Sequence, residues 1–264
     1  MVAQLAAPIS IATLRAACSR CNLRELCLPE GMNEQEIDQL DKAFGTRRRI
    51  KRQQFLYRAG DLFESIFAIR SGSFKTDIVL EDGRAQVTGF QMIGEILGLD
   101  GISNDVHACN AVALEDSEIC VIPYDRLEAL SRQMETLHRQ FHKLMSSEIV
   151  RDHGVMMLGS MRAEERLAVF LLNLSQRLNA RGFSSAEFVL RMTREEIGSY
   201  LGLKLETVSR TLSRFDDAGI IGVTHKRIRI VSIDKLRVIV RHHTPQRSGS
   251  TGADKSGRQH CTTR

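Results

Sequence analysis

The stretch MTREEIGSYLGLKLETVSR, residues 192–210, decides the fold of the C-terminal third of this chain. Thr193 with Glu196 three positions on is a capping-box pattern, which starts a helix. That helix is expected to break at Gly202, because glycine accepts the left-handed backbone of a tight inter-helix turn. A second helix is predicted over about 204–218 and stops at Gly219. Gly198 lets the two helices approach closely, while Ile197, Leu201, Leu203, Val208 and Leu212 supply the inward faces. The pattern is a helix-turn-helix. Beyond it, the runs 220–224 and 228–230 flank His225-Lys226-Arg227, a short basic hairpin that would make a wing.

On the second helix, Glu206, Ser209 and Arg210 are three and four residues apart and project from one face. A recognition helix sends its first turns into the major groove. There a carboxylate accepts from cytosine N4, a guanidinium bonds guanine O6 and N7, and a hydroxyl reaches either kind of edge. The plain alternative is a solvated face with an i,i+4 Glu–Arg pair, worth a few tenths of a kcal/mol. Lys204, Arg214, Lys226 and Arg227 are better placed for phosphates, which fix register without reading sequence.

The charge distribution points the same way. The net charge is +5, yet residues 1–193 sum to −2. Residues 194–241 carry ten basic and six acidic side chains, and 242–264 carry four and one. Basic charge gathered at one end of a chain implies a polyanionic partner. The 264 residues suffice for two domains with their own cores. Upstream of the helix-turn-helix, EERLAVFLLNLSQRL at 164–178 is amphipathic and ends at Arg181-Gly182.

Further upstream, residues 33–45 show Ile37, Leu40 and Phe44 at helical spacing. From Arg49 to Pro123 the texture changes to short runs at 55–57, 66–69, 77–80 and 118–122. They are separated by Ala59-Gly60-Asp61, Ser71-Gly72, Glu81-Asp82-Gly83 and the glycines from 98 to 101. Such spacing predicts a compact antiparallel barrel or jelly roll. After Pro123 an apolar stripe runs for about 30 residues and includes Leu137, Phe141, Leu144, Ile149 and Met156, with Asp152 on or beside it. A lone helix of that length is expected to pair with a second copy of itself.

Cys18, Cys21 and Cys27 form a C-x2-C-x5-C run in a short polar segment, and Cys109, Cys120 and Cys261 could supply a fourth thiolate. Thiolates at this density suit zinc or an iron–sulfur cluster, and spacing alone does not name the metal. Six cysteines in a chain of this size fit a reducing compartment better than a disulfide scaffold. The N-terminus lacks a basic n-region and has Pro8 within it, unlike a secretory signal. No apolar run reaches the ~20 residues of a membrane helix, so no membrane is expected as a partner and a cytoplasmic location is. A metal-dependent enzyme on the barrel would need a His/carboxylate set, and the barrel region offers only His107.

Several stretches together resemble the CRP/FNR superfamily of bacterial transcription regulators, and within it the oxygen-sensing FNR branch. They are CSRCNLRELC at 18–27, YRAGD at 57–61, IRSGSFK at 69–75, TGF at 88–90, CVIP at 120–123, RAEERLAVFLLNLS at 162–175, RGFS at 181–184 and the stretch at 192–210. The resemblance covers residues 15 to about 240. It implies an α+β chain with these parts: an N-terminal cluster-binding segment (1–30), a cyclic-nucleotide-binding-like β-roll (31–123) and a long dimerisation helix (124–160). A C-terminal winged helix-turn-helix (161–243) and a disordered basic tail (244–264) follow.

The resemblance further implies an oxygen-labile [4Fe-4S] cluster on Cys18, Cys21, Cys27 and the cysteine preceding an x-I-P triplet, which is Cys120. Cys109 is then a small apolar filler and Cys261 a tail thiol. The superfamily's nucleotide pocket follows a Gly-Glu pair with an arginine. Gly94-Glu95 is present, but residues 103–111 contain no arginine, so no cyclic nucleotide is expected. With the cluster intact the family forms a homodimer on an inverted repeat in double-stranded DNA, here of TTGAT type. Oxygen degrades the cluster and releases the DNA. Asp152 would face its symmetry mate and oppose pairing. The turn 81–84 sits where the family touches RNA polymerase. Alternatives within the same fold are a redox or nitric oxide sensor and a zinc-bound regulator.

Overall fold

The computed structural model describes residues 32–44 and 46–241. Helix α1 (Glu34–Ala43) starts on Asn33, whose side chain and that of Glu36 cap each other's main-chain N–H groups. Eight strands follow: β1 (Thr46–Ile50), β2 (Phe55–Tyr57), β3 (Ser65–Ser71), β4 (Ser73–Val79), β5 (Ala85–Met92), β6 (Ile96–Leu97), β7 (Asn110–Ala113) and β8 (Ser117–Pro123). They form two antiparallel four-stranded sheets, in the orders β1-β8-β3-β6 and β2-β7-β4-β5. Ile50, Leu56, Phe67, Ile69, Phe74, Leu97, Ala111 and Ile119 fill the space between them. The four strands expected from sequence all form. Of the other four, β6 and β7 are short, β1 is strongly polar and β5 mixes polar and apolar residues without a period-2 pattern.

Each sheet also buries its outer face. Ile66 and Ile122 of the first sheet meet Leu40 of α1, Phe44 just after it, and the side chains of Leu127, Met134 and Leu137. Those last residues correct the expectation of one continuous helix over 124–160. The stripe is two helices, α2 (Tyr124–Ser131) and α3 (Glu135–Met157), with Met134 extended between them and buried. Three apolar residues at the break point into the protomer, which a straight rod could not achieve. The outer face of the second sheet contributes Val87, Phe90, Met92 and Leu114 to the core of the C-terminal domain.

That domain comprises α4 (Ala163–Asn179), β9 (Glu187–Val189), α5 (Arg194–Leu201), α6 (Leu205–Asp217), β10 (Ile221–Thr224), β11 (Arg227–Ile230) and α7 (Ile233–Arg241). Its three-stranded sheet has the order β10-β11-β9. The wing is therefore tighter than expected. His225 and Lys226 alone make the turn, with His225 at φ 56°, and Arg227 already pairs with Thr224. The third strand, β9, was not anticipated, because only Phe188 of its three residues is buried.

Candidate nucleic-acid interface and cysteine face

Helix α5 begins as its sequence requires. The Thr193 hydroxyl accepts from Glu196 N–H at 3.1 Å, and Glu196 Oε2 accepts from Thr193 N–H at 2.7 Å. Gly202 ends the helix at φ 64°. A Cβ at Gly198 would sit 2.6 Å from the Leu203 carbonyl oxygen, so a side chain there would force α6 away. Val208, Thr211, Leu212 and Phe215 are the buried face of α6. Glu206 and Arg210 are exposed on the other face, with Ser209 half-buried beside them.

The structure thus brings the three expected base-reading residues together on one accessible surface. Arg210 Nε donates to the Glu206 main-chain oxygen at 3.4 Å, and the two side chains form no ion pair. The guanidinium is not committed to the carboxylate. Arg194, the first residue of α5, donates to Ser209 Oγ at 3.3 Å. Sequence reasoning missed it; its signal was its place directly after the capping threonine.

The expected phosphate contacts divide into two kinds. Lys204 and Lys226 are exposed and, among the described residues, make no ion pair. Arg214 is paired with Glu164, and Arg227 with Glu187 at 2.8 Å. Both pairs are largely solvent-exposed, so each holds its arginine by ~0–1 kcal/mol and a phosphate could displace the carboxylate.

Cys18, Cys21, Cys27 and Cys261 lie outside the described residues, as does the basic tail. Cys120 is half-buried on β8, opposite Arg47 of β1 and Ala68 of β3. Strand alternation sends Ile119 and Val121 into the barrel and Glu118, Cys120 and Ile122 outward. Beside this outward face Arg47 Nε is buried without a hydrogen bond, 3.7 Å from the Glu118 carboxylate, which Arg49 and Arg70 also pair. A thiolate or a thiolate-bound cluster is anionic and suits such a neighbour.

Cys109 differs. It lies in the barrel core, its amide and Sγ directed at Asp100 Oδ2 at 3.2 and 3.4 Å. Burial, and then the Asp100 carboxylate, push its pKa far above that of an ordinary thiol, so it stays protonated and ligates poorly. Among the described residues no group of three or more His, Cys, Asp or Glu could hold a metal.

The six residues expected at a dimer interface are not equivalent. Leu137 is only 7% exposed and is taken up within its own protomer, and Phe141 packs against the same cluster. Leu144 is half-buried, and Ile149, Asp152 and Met156 are exposed. The exposed members of the six thus all lie in the C-terminal half of α3. Among the described residues, no helix is long and apolar enough to cross a membrane. In the turn 81–84, Arg84 pairs with Asp82 at 2.6 Å.

Comparison with known proteins agrees with this geometry. Residues 47–134 match the cyclic nucleotide-binding domain family, and residues 165–239 the Crp-like helix-turn-helix domain family. The chain is 47% identical over 226 residues to the transcriptional regulatory protein btr of Bordetella pertussis, covering 85% of this chain and 93% of that one. It is 48% identical over 214 residues to the anaerobic regulatory protein of Pasteurella multocida, covering 81% and 78%. The solved structure of FixK2 from Bradyrhizobium japonicum superposes with a TM-score of 0.68 at 28% identity, over 74% of this chain and 96% of that one. The chain belongs to the CRP/FNR family of transcription regulators, as a DNA-binding regulator of the anaerobic, FNR type.

Proposed function

We propose that this protein is an oxygen-responsive, sequence-specific regulator. In this reading Cys18, Cys21, Cys27 and Cys120 hold a [4Fe-4S] cluster, and the homodimer binds a TTGAT-type inverted repeat when oxygen is absent. The observation that carries it is the contrast between the two described cysteines. Cys120 faces outward opposite Arg47, whereas Cys109 is locked as a thiol in the barrel. When bound, such a cluster supplies a centre that molecular oxygen dismantles.

The chain's own residues supply the rest. Glu206, Ser209 and Arg210 offer base edges an acceptor, a hydroxyl and a bidentate donor. Lys204 and Lys226 neutralise phosphates, and Arg214 and Arg227 exchange their carboxylates for them. Ile149 and Met156 give α3 an apolar strip for its twin, and two-fold symmetry then sets half-sites about one helical turn apart. Residues 81–84 would meet RNA polymerase. The β-roll holds no cyclic nucleotide in this reading, since the Glu95 carboxylate is occupied by Arg177 and Arg181.

Anaerobically purified protein should show the broad near-visible absorbance of thiolate-ligated iron and bleach on adding air, with operator affinity falling in parallel. A colourless protein containing one zinc per chain would replace the cluster with a structural metal and remove oxygen from the reading.

A further inference from the structure

Glu95 is 8% exposed, and the function proposed above gives its carboxylate no task beyond being unavailable to a nucleotide. Its carboxylate is surrounded by three arginines. Arg177 donates Nε to Oε1 at 2.9 Å and Nη2 to Oε2 at 2.5 Å. Arg181 donates Nη2 to Oε1 at 2.7 Å, and Arg151 Nη1 stands 3.6 Å from Oε2. The Met92 N–H also donates to Oε2 at 2.9 Å.

These arginines come from different parts of the molecule. Arg151 belongs to α3, Arg177 to α4, and Arg181 directly follows α4 in the DNA-binding domain. Arg177 and Arg181 also donate to the main-chain oxygens of Phe90 and Ile93, at 2.5 and 2.6 Å. Burial pushes the Glu95 carboxyl up, but Arg177, Arg181 and Arg151 outweigh it and hold the group below its ordinary value.

The remaining interface joins ring contacts to single polar contacts: the Val87 N–H donates to Ser199 Oγ at 2.9 Å, the Ser199 hydroxyl reaches the Ala85 carbonyl at 3.3 Å, and Arg191 pairs with Glu115 at 3.3 Å. Phe90 stacks obliquely with Tyr200 and Phe170 at 5.2 and 6.1 Å, and Lys75 meets Glu196 at 3.1 Å. Ring contacts tolerate sliding, whereas bidentate guanidinium–carboxylate bonds fix one relative placement. We infer that Glu95 is a positioning residue for DNA binding: it latches the DNA-binding domain to the β-roll and the long helix at one fixed placement. A side chain of the protein then sets the domain arrangement.

The inference rests on the operator reading above, so its test uses two readouts on the full-length protein carrying whatever metal it binds. The first is tryptic cleavage after the exposed Arg162, in the connection between α3 and α4. The second is anaerobic affinity for a duplex bearing the TTGAT inverted repeat. Glu95→Gln should release the C-terminal domain at least tenfold faster and bind the duplex at least tenfold more weakly. Faster cleavage with unchanged affinity would overturn the positioning role, and weaker affinity with unchanged cleavage would overturn the latch. If Glu95→Gln does not fold, Arg177→Met approaches the same contact from the other domain and is held to the same outcomes. Should wild type itself ignore the duplex, the operator reading fails while the cleavage rates still decide the latch.

Discussion

Gly198 of α5 and Leu203 of the inter-helix turn are in such close contact that a Cβ on the first would lie 2.6 Å from the carbonyl oxygen of the second. The obstacle is main chain, which cannot rotate away as a side chain can. The same oxygen follows from α6 starting two residues later, so the contact fixes the angle at which the recognition helix leaves the turn. Gly198→Ala should therefore cost about 1–3 kcal/mol of stability and re-aim α6. Urea unfolding and DNA titration measure the two effects, and a variant within ~0.5 kcal/mol of wild type would show that the turn relaxes freely.

The two described cysteines should respond in opposite ways. Cys120→Ser is expected to abolish the visible chromophore and anaerobic DNA binding, since it removes an outward thiolate. Cys109→Ser should keep both, because its thiol is protonated and buried. Cys18→Ser, Cys21→Ser and Cys27→Ser are expected to behave like Cys120→Ser, and Cys261→Ser like Cys109→Ser. A colourless Cys109→Ser protein beside a coloured Cys120→Ser protein would reverse the assignment.

Readout of sequence should separate from affinity. Arg210→Ala is expected to cost roughly 1–3 kcal/mol on the specific site and to relax preference at one base pair. Lys226→Ala should weaken specific and random duplexes alike and lower the salt slope by about one unit. Equal losses on both duplexes for Arg210→Ala would make that residue a phosphate contact.

Asp152 is exposed on α3 near Ile149 and Met156. If it meets its symmetry mate, two ionised carboxylates oppose pairing until the cluster is bound. Removing the charge should then shift dimerisation by roughly tenfold, about 1.4 kcal/mol. Asp152→Ala is expected to sediment as a dimer in air where wild type is monomeric. Identical sedimentation of the two would leave Asp152 an ordinary surface residue.

Glu196 ties α5 to both its cap and the β-roll. Burial raises its pKa, but the Thr193 amide and Lys75 outweigh that, so the folded value lies below the ordinary one. A depressed carboxylate stabilises the fold at pH above its unfolded value of about 4.3 and loses that contribution as pH falls through the lower folded value. Wild type should thus exceed Glu196→Gln in unfolding midpoint at neutral pH, with the gap closing as acid carries the pH through the depressed folded value. A gap that is constant with pH would mean the carboxylate's charge contributes nothing.

The sequence by itself determined the local structure of the DNA-binding half. Thr193, Glu196, Gly198 and Gly202 act within a few residues of one another, so their capping, close approach and turn are written in spacing. The same holds for the outward face of Glu206, Ser209 and Arg210, which follows from helical period. Strands at 55–57 and 118–122 were likewise legible from apolar runs between turn glycines. Tertiary structure alone decided the rest. The break before Glu135 depends on Met134 and Leu137 finding Leu40 and Phe44 across the fold, a contact that no local pattern encodes. Arg214 and Arg227 met carboxylates 50 and 40 residues away, and Glu95 met arginines more than 50 residues distant. The motif before Ile122-Pro123 had already set Cys120 apart from Cys109, and the tertiary structure added the surroundings of each. Strand alternation directs one outward, and the Asp100 carboxylate keeps the other a thiol.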